Sequence, residues 1–564
     1  GVEGTLIAAY RMLDCTNATN ADWGCAASNW VWGSVTSDDA YKGSEASDQP
    51  AINDLEAYAW GTGNSEAYLN TKWRAVFEGV VRSNAAIRLL DKVVSEKPGE
   101  FSAAEVDQIR GEALFLRAHY HFEAYRVWGN IPYYRAGDTD YRKSNVGVNV
   151  TAELLVDLDS AIALLPAAPR RGQVGRATSW AAQAYKGKVQ MYAGDFAGAL
   201  TTLRAVQASG VYALETSYDR VWTGFSAFAN GPETILAFQA SANDGEPNGD
   251  NANYGERLNF PHSGSPFGCC GFHQPSQNVV NAFGVDANGL PLSLSDPNWN
   301  ARDANLTGAD AVPVDPRLDW AVGRDAVPFK DWGLHAPGWI RSPSYGGPYS
   351  AKKNTHERAS GAQSNVGWVN TQLNSVNIHI YRYADALLLL AEAEVEAGVL
   401  ENARAIVNQI RARAGQTAQG CGSGFDAVSD SVLKATYPIC VSDSRIAVPL
   451  VAAGTLYSLT TPWAVYRVGE YPGPWTDQAA ARAAVREERK LELALEGQRF
   501  FDLRRWAIAD QVINAYLAVE NTRRTYLAAA QVFAARHGLF PIPNIQIELS
   551  RVGSEERLVQ NPGW

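Results

Sequence analysis

The chain has 564 residues, and its 49 lysines and arginines against 60 aspartates and glutamates give a formal net charge of −11. An acidic chain without blocks of basic residues binds nucleic acid and anionic membranes poorly, so the composition disfavours both partners. No uninterrupted apolar run reaches the roughly 18 residues of a membrane-spanning helix. The chain begins at Gly1 with neither a signal peptide nor an initiator methionine, and we expect that an N-terminal segment was removed.

Helical periodicity dominates the N-terminal part of the chain. Apolar residues recur at helical spacing from Tyr68 to Val94 and again from Ala103 to Trp128, where Gly129 provides a stop signal. Thr151 is expected to cap a further helix that runs to Leu165. These patterns predict a helical segment over about 1–213.

Two later segments share the pattern of a helix pair. Residues 186–210 and 391–415 each contain an Ala-Gly turn, at Gly194 and Gly398, and each has an alanine five residues after that glycine. Small residues where two antiparallel helices cross are typical of tetratricopeptide-like units. With the other helix pairs, the sequence favours four such units.

Between the helical segments lie two stretches rich in glycine, proline, asparagine and serine. They cover about 214–376 and 416–476, and helical periodicity fades in both. A structureless loop of such length is unusual in a compact domain. We therefore expect these inserts to have packing or a function of their own, with helices resuming over about 377–415 and 477–540.

The six cysteines form three sequence-close pairs: Cys15 with Cys25, Cys269 with Cys270, and Cys421 with Cys440. Disulfides in loops suit an oxidising, exported location. Free thiols or zinc are the alternatives, although no CxxC or HxxxH spacing supports a metal site. For the adjacent pair a vicinal disulfide competes with two separate bridges or two buried thiols.

The segment from Val485 to Trp506 packs acids, bases and aromatics into one helical stretch. Its glutamates at 488, 492 and 496 share one ridge and would repel each other if left alone. A glycosidase pair would need one carboxyl with a raised pKa, whereas neighbouring arginines keep carboxylates ionised. We interpret the segment as a structural ion-pair network of Arg489, Glu492, Glu496 and Arg499.

This same segment, VREERKLELALEGQRFFDLRRW, closely resembles the C-terminal signature of the SusD/RagB family. Residues 109–134 and 378–398 resemble its second helical block and its mid-chain helix. LFPIPNIQIELS and LVQNPGW are similar to its closing motif, and 315–333 and 347–353 resemble loop segments of its members. The resemblance spans nearly the whole chain.

The resemblance implies a single domain over 1–564 with an all-α fold. Four tetratricopeptide-like helix pairs would form a scaffold beneath a loop-rich ligand face, with minor β-hairpins in the inserts. It also implies a surface-exposed lipoprotein of the outer membrane, without catalytic activity, that captures oligosaccharides and passes them to a SusC-like TonB-dependent transporter. No apolar run precedes Cys15, so we do not expect it to be the lipidated cysteine, and the anchor is expected to be absent from this chain.

Loop aromatics beside polar residues are the candidate ligand contacts, because sugars lay apolar C–H faces on rings and offer hydroxyls to polar groups. For each aromatic, a role as a structural anchor of its loop is the alternative. The candidates are Trp60, Asn64, Cys269, Cys270, Phe272, Trp332, Trp339 and Tyr345, with Gln274 and Gln277 beside the cysteines.

No cofactor is predicted. Asp38 and Asp39 would need further oxygen ligands to hold calcium, so a polar turn near the transporter contact is the preferred interpretation and a structural calcium ion is left open. Three other functions compete with glycan capture. They are RagB-like peptide capture in the same architecture, an all-α carbohydrate-active hydrolase, and a plain repeat scaffold.

Overall fold

The computed structural model describes residues 1–14, 23–61, 63–262, 264–292, 296, 298–302, 312–367, 370–419, 447–461 and 463–564. Helices dominate, as the sequence predicts, and none of those in the described part is long and apolar enough to span a membrane. The described α-helices are α1 (Val2–Tyr10), α2 (Pro50–Glu56), α3 (Gly63–Glu96), α4 (Ala103–Trp128), α5 (Val150–Leu164), α6 (Ser179–Tyr192), α7 (Phe196–Ser209), α8 (Gln277–Ala282), α9 (Leu318–Ala321), α10 (Pro343–Gly346), α11 (Tyr383–Glu396), α12 (Leu400–Ala414), α13 (Gln478–Glu492), α14 (Arg499–Arg505), α15 (Ala509–Arg523) and α16 (Asn544–Leu549).

The scaffold is a row of antiparallel helices. From α3 to α7 each helix packs on the next in the chain, and α11, which follows the first insert, packs on α7, α12 and α13. Both predicted helix pairs are present, as α6 with α7 and α11 with α12. Their turns place Gly194 at φ +75° and Gly398 at φ +77°, which is left-handed backbone that glycine adopts without strain.

The cap of α5 differs from the prediction. Asn149, not Thr151, is the N-cap, because its side chain accepts a hydrogen bond from the backbone N–H of Ala152. The hydroxyl of Thr151 donates to the side-chain oxygen Oδ1 of Asn149 at 3.1 Å and so supports the cap from inside the helix. Both residue types are good caps, and only the position of the first helical turn decides between them.

Small antiparallel sheets lie within and beside the inserts. The described strands are β1 (Ala40–Gly43), β2 (Thr234–Phe238), β3 (Phe272–Pro275), β4 (Val322–Gly323), β5 (Ser350–Ala351), β6 (Ile378–Arg382), β7 (Ala418–Gln419), β8 (Ala447–Val448), β9 (Val451–Ala453), β10 (Leu456–Thr460) and β11 (Val465–Gly469). β9, β10 and β11 form a three-stranded meander, and the other strands pair as β1 with β3, β2 with β6, β4 with β5, and β7 with β8.

One of these pairings fixes the first insert to the N-terminal part of the chain. β1 lies before the helical row and β3 lies inside the insert, and their register places Tyr41 opposite Gln274 and Gly43 opposite Phe272. Ala40 to Gly43 are all buried. The loop face is therefore held by residues from a segment that the sequence assigns to the scaffold.

The C-terminal motif closes the fold on α4. The Asn561 amide donates to the carbonyl oxygens of Trp128 and Phe540, each at 2.8 Å, and the Trp128 indole N–H donates to the Pro541 carbonyl at 3.0 Å. These buried bonds satisfy backbone groups that the end of α4 leaves without helical partners. The QNPGW ending therefore has a structural role, since it holds the C-terminal segment against the end of α4.

Candidate functional site

Charged residues of the signature segment, from Val485 to Trp506, are buried in ion pairs with distant segments. Glu492 lies 3.0 Å from Arg317 and 2.7 Å from Arg382, and it also pairs with Arg413. Burial raises the pKa of Glu492, but the charges of the three arginines outweigh it and hold that pKa at about 2. The carboxylate is therefore ionised and inaccessible.

The other members of the predicted network have partners of the same kind. Glu496 pairs with Arg382 and Lys353, Arg489 with Asp385 and Asp502, and Arg499 with Asp38. We expected the acids of the ridge to be neutralised by bases nearby in sequence, and for Glu492 and Glu496 that expectation is wrong. α13 ends at Glu492, and Glu496 lies in the turn after it, so the two carboxylates do not share one helical ridge. Because the end of α13 and this turn are buried, the carboxylates meet arginines and a lysine from the first insert, β6 and α12 instead.

This geometry does not support a hydrolase. A general acid of a glycosidase needs a raised pKa and access to the sugar. Glu492 has neither, and the relative exposure of its side chain is 0%. The signature segment is structural.

A glycine, Gly497, lies in the turn between α13 and α14. Gly497 has φ +68°, and its backbone lies so close to that of Gly33 and Ser28 that a Cβ on Gly33 or on Gly497 would clash. The turn between α13 and α14 therefore packs directly on the segment that precedes β1. This contact explains why the motif contains glycine between Glu496 and Gln498.

Asp38 and Asp39 are not a polar surface turn, which corrects our interpretation of them. Both are buried, and Asp38 lies 2.7 Å from Lys490 and 2.8 Å from Arg499. Burial alone would raise the pKa of Asp38, but these two cations hold it well below its usual range. Burial and the charge of Asp38 raise the pKa of Asp39 to about 6. Within the described residues no cluster of acidic, histidine or cysteine side chains is suited to a metal ion.

Three of the candidate aromatics are buried. Trp60 is 1% exposed and stacks on Phe540 with the ring centroids 3.9 Å apart. Phe272 is also 1% exposed and meets Trp30 edge-on, while Trp339 is 7% exposed and packs on Phe329. These rings present almost no surface for a sugar, so the structure favours the structural alternative for each.

The remaining candidates differ in position. Asn64 is exposed in the first turn of α3. Tyr345 is half-buried, stacks on Tyr526 at 4.2 Å and donates its hydroxyl to the Asn53 amide oxygen at 2.7 Å. Gln274 is buried and donates to the carbonyl of Tyr349 at 2.9 Å. Gln277, at the start of α8, is buried as well.

Cys269 and Cys270 form the vicinal disulfide. Cys270 is buried, while Cys269 is partly exposed beside the exposed Gly268. Cys25 is also disulfide-bonded, and no described cysteine is free. The proposed positions Cys15, Cys421 and Cys440 lie outside the described residues.

The loop that carries the disulfide is fixed on both sides. Gly271 donates its N–H to the Phe260 carbonyl at 2.8 Å and accepts a hydrogen bond from the Ser44 N–H at 2.6 Å. The Gln372 amide donates to the Cys269 carbonyl, and the Thr371 hydroxyl donates to the Phe267 carbonyl at 2.9 Å. The disulfide is thus presented on an anchored backbone.

Trp332 lies next to this loop. Its ring is half-buried, with its centroid 4.8 Å from that of Phe267 and 5.3 Å from that of His356. Its indole N–H donates to the His356 carbonyl at 2.8 Å. One hydrogen bond and two ring contacts therefore fix the orientation of an aromatic surface that remains partly open.

Polar residues border the same loop. The His262 N–H donates to the Trp339 carbonyl at 2.8 Å, and the partly exposed imidazole has a pKa lowered by burial and by the charge of Arg341. Arg341 is exposed and pairs with Glu45 at 2.6 Å and Asp48 at 2.7 Å. We call the surface formed by His262, Gly268, Cys269, Trp332 and Arg341 the disulfide patch.

Part of this patch lies outside the predicted ligand contacts. Neither His262 nor Arg341 is among them, although Arg341 lies between two candidate aromatics, Trp339 and Tyr345. The patch is assembled from loops that are about 70 residues apart in the chain, so spacing alone gives no signal for it.

Comparisons with family models agree with the fold. A family described as "SusD family" matches residues 232–564, and one described as "Starch-binding associating with outer membrane" matches residues 18–191. A SusD-like protein of Formosa agariphila is 24% identical over 508 residues, which is 86% of this chain and 80% of that protein.

Solved structures with SusD-like and surface glycan-binding names have a similar fold. A laminarin-binding SusD-like protein superposes with a TM-score of 0.63 at 21% identity over 100% of this chain and 99% of its own. Surface glycan-binding protein A from Bacteroides thetaiotaomicron, in complex with laminarihexaose, has a TM-score of 0.63 at 17% identity over 99% of this chain and 98% of its own. The names of these relatives describe binding proteins, not enzymes.

Proposed function

Because the chain belongs to the SusD family, we propose that it binds an oligosaccharide on the disulfide patch. The observation that carries the proposal is the half-buried Trp332 ring, which packs on Phe267 two residues before Cys269 of the vicinal disulfide, with His262 and Arg341 near the same loop. Relatives named for binding laminarin and surface glycans support this class of ligand.

The chemistry of the patch suits a sugar. The open part of the Trp332 ring can accept the C–H face of a pyranose, and the disulfide adds a weakly polar surface beside it. Arg341 and the carboxylates of Glu45 and Asp48 offer donors and acceptors to hydroxyls. Since the loop backbone is already anchored, binding would cost little ordering entropy.

We further propose that the protein works on the cell surface. A lipid anchor would hold it at the outer membrane, and it would pass its glycan to a SusC-like TonB-dependent transporter. The family that matches residues 18–191 is described as associating with the outer membrane, which supports this location.

The test is a calorimetric titration of the whole chain with laminarihexaose, maltohexaose and a set of peptides. We expect one of the two glycans to bind, and Trp332→Ala to weaken its binding by at least about tenfold, as expected for an aromatic hot spot. Trp475→Ala is the matched control, because Trp475 is another half-buried tryptophan and packs on Tyr471 away from the patch.

Two results would contradict the proposal. One is binding of peptides alone, which would favour peptide capture in the same architecture. The other is a glycan affinity that Trp332→Ala and Trp475→Ala reduce equally, which would move the site away from the disulfide patch. Circular dichroism of both variants checks that the helical scaffold is intact.

A further inference from the structure

The helical scaffold contains a cavity of its own, separate from the disulfide patch. Its volume is about 720 Å³, within the usual range for a small-ligand pocket. The walls come from α4, α5, α6, α14, α15 and residues 533–539, and none of the described residues of the two inserts lines it. Its polar lining includes Tyr125, Asn149, Thr151, Tyr192 and Arg504.

Arg504 differs from the arginines around it. Arg126, which also lines the cavity, pairs with Glu123, and Arg505 pairs with Glu392 and Asp502. Across the described residues, no carboxylate lies within ion-pairing distance of Arg504. Burial lowers the pKa of Arg504 from 12.5 to about 10, and the charge of Arg126 acts in the same direction, against Tyr192 and Tyr125, so the guanidinium is charged at neutral pH.

The free edge of this guanidinium has the geometry of a carboxylate site. Nη1 donates to the Arg126 carbonyl at 2.5 Å, which fixes the side chain. Nε and Nη2 have no acceptor in the described part of the chain. These two N–H groups are parallel and can donate to both oxygens of one carboxylate.

We propose that the scaffold cavity binds a carboxylate-bearing sugar, a uronate of mono- to disaccharide size, with Arg504 on the carboxylate. Tyr125, Asn149 and Thr151 line the same cavity and supply polar groups for hydroxyls. An acidic peptide suits the site less well, because no strand lines the cavity and an extended peptide has no sheet edge to pair with.

The test is a calorimetric titration of the whole chain at low salt with sodium D-glucuronate and digalacturonate, beside D-glucose as the neutral probe. Wild type should bind the uronates and not glucose. Arg504→Met should weaken uronate binding by at least about tenfold, and Arg504→Lys should fall between, because lysine keeps the charge and loses the fork. Arg74→Met is the control, since Arg74 is exposed on α3 and does not line the cavity.

A second variant distinguishes the loss of the Arg504 contact from a folding defect in Arg504→Met. Asp510 is exposed and lines the cavity. Asp510→Asn keeps Arg504 and removes a negative charge that repels the carboxylate of the uronate. It should therefore tighten uronate binding by roughly two- to fourfold. A destabilised protein would not gain affinity.

Several results would overturn the inference. They are no uronate binding by wild type at millimolar concentration, equal binding of glucose, an unchanged affinity in Arg504→Met, or Arg504-dependent binding of an acidic hexapeptide but not of the uronates. The inference stands apart from the proposed function. Trp332→Ala should leave uronate binding unchanged, and Arg504→Met should leave binding of the neutral hexasaccharide unchanged.

Discussion

The signature region, from Val485 to Trp506 with the residues that pair with it, and the disulfide patch differ in the number and the burial of their charged groups. In the signature region, charge is dense and buried, and Glu492 alone meets three arginines. In the disulfide patch, charge is sparse, and one exposed arginine borders a disulfide and a half-buried tryptophan. The region with the most ionisable groups is scaffold, and the region with few of them is the candidate site.

The physical reason lies in burial. A charge that is buried must be paired, and once paired it has neither a free lone pair nor a mobile proton for a ligand. A surface that binds sugar needs open apolar area and hydroxyl partners still in contact with water. Charge density in a sequence is therefore a poor guide to function unless exposure is known.

The largest effect that we predict is that of Glu492→Ala on stability. Removing this carboxylate leaves Arg317, Arg382 and Arg413 without one of their counter-ions in the core. We expect a loss of about 3–5 kcal/mol in the free energy of unfolding, as for other broken buried pairs. Chemical denaturation of wild type and variant measures it. A loss below about 1 kcal/mol would mean that the network is not structural.

The second prediction separates the two kinds of tryptophan. Trp60→Ala should cost about 3–5 kcal/mol of stability, because it empties a packed aromatic site against Phe540. Under conditions where the variant is folded, its glycan affinity should equal that of wild type. Thermal unfolding and calorimetry on the same sample test both halves. A selective loss of glycan affinity at unchanged stability would restore Trp60 as a ligand contact.

The third prediction concerns pH. The pKa of Glu492 is lowered from 4.5 to about 2, so its stabilising contribution is complete above about pH 4.5 and is lost as pH falls towards 2. The pKa of Asp39 is raised from 3.8 to about 6, so its contribution has the opposite sign: it is complete below about pH 3.8 and is lost as pH rises to 6. For these two groups together, stability should therefore be highest near about pH 4 and should fall between about pH 4 and 6.

Denaturant titrations from pH 3 to pH 8 test this profile, and Asp39→Asn provides its control. The variant should lose part of the decline between about pH 4 and 6, because it removes the carboxylate that must ionise in the core. It should keep the decline on the acidic side. A profile that rises steadily to pH 8 would contradict the assignment.

The smallest effect is expected at the border of the disulfide patch. Arg341→Gln breaks exposed pairs with Glu45 and Asp48, so it should change stability by less than about 1 kcal/mol. If Arg341 contacts the glycan, the same change should reduce affinity a few-fold. Arg551→Gln is the matched control, because Arg551 forms an exposed pair with Glu556 elsewhere on the surface.

The sequence by itself determined the helical scaffold, because local periodicity and turn residues act over a few positions. α4 begins and ends where its pattern predicts, and Gly194 and Gly398 mark both helix pairs. For the adjacent cysteines the sequence left a vicinal disulfide open beside two separate bridges or two buried thiols, and the structure shows the vicinal disulfide. The family signature and the closing motif also needed no coordinates.

Only the tertiary structure decided which side chains are accessible and which charges meet. Trp60 and Trp332 are both tryptophans in loops that contain glycine, yet one is covered by Phe540 and the other stays partly open. Arg317 and Glu492 are 175 residues apart and form one buried pair. Burial and pairing are sums over contacts between distant segments, so no local pattern in the chain encodes them.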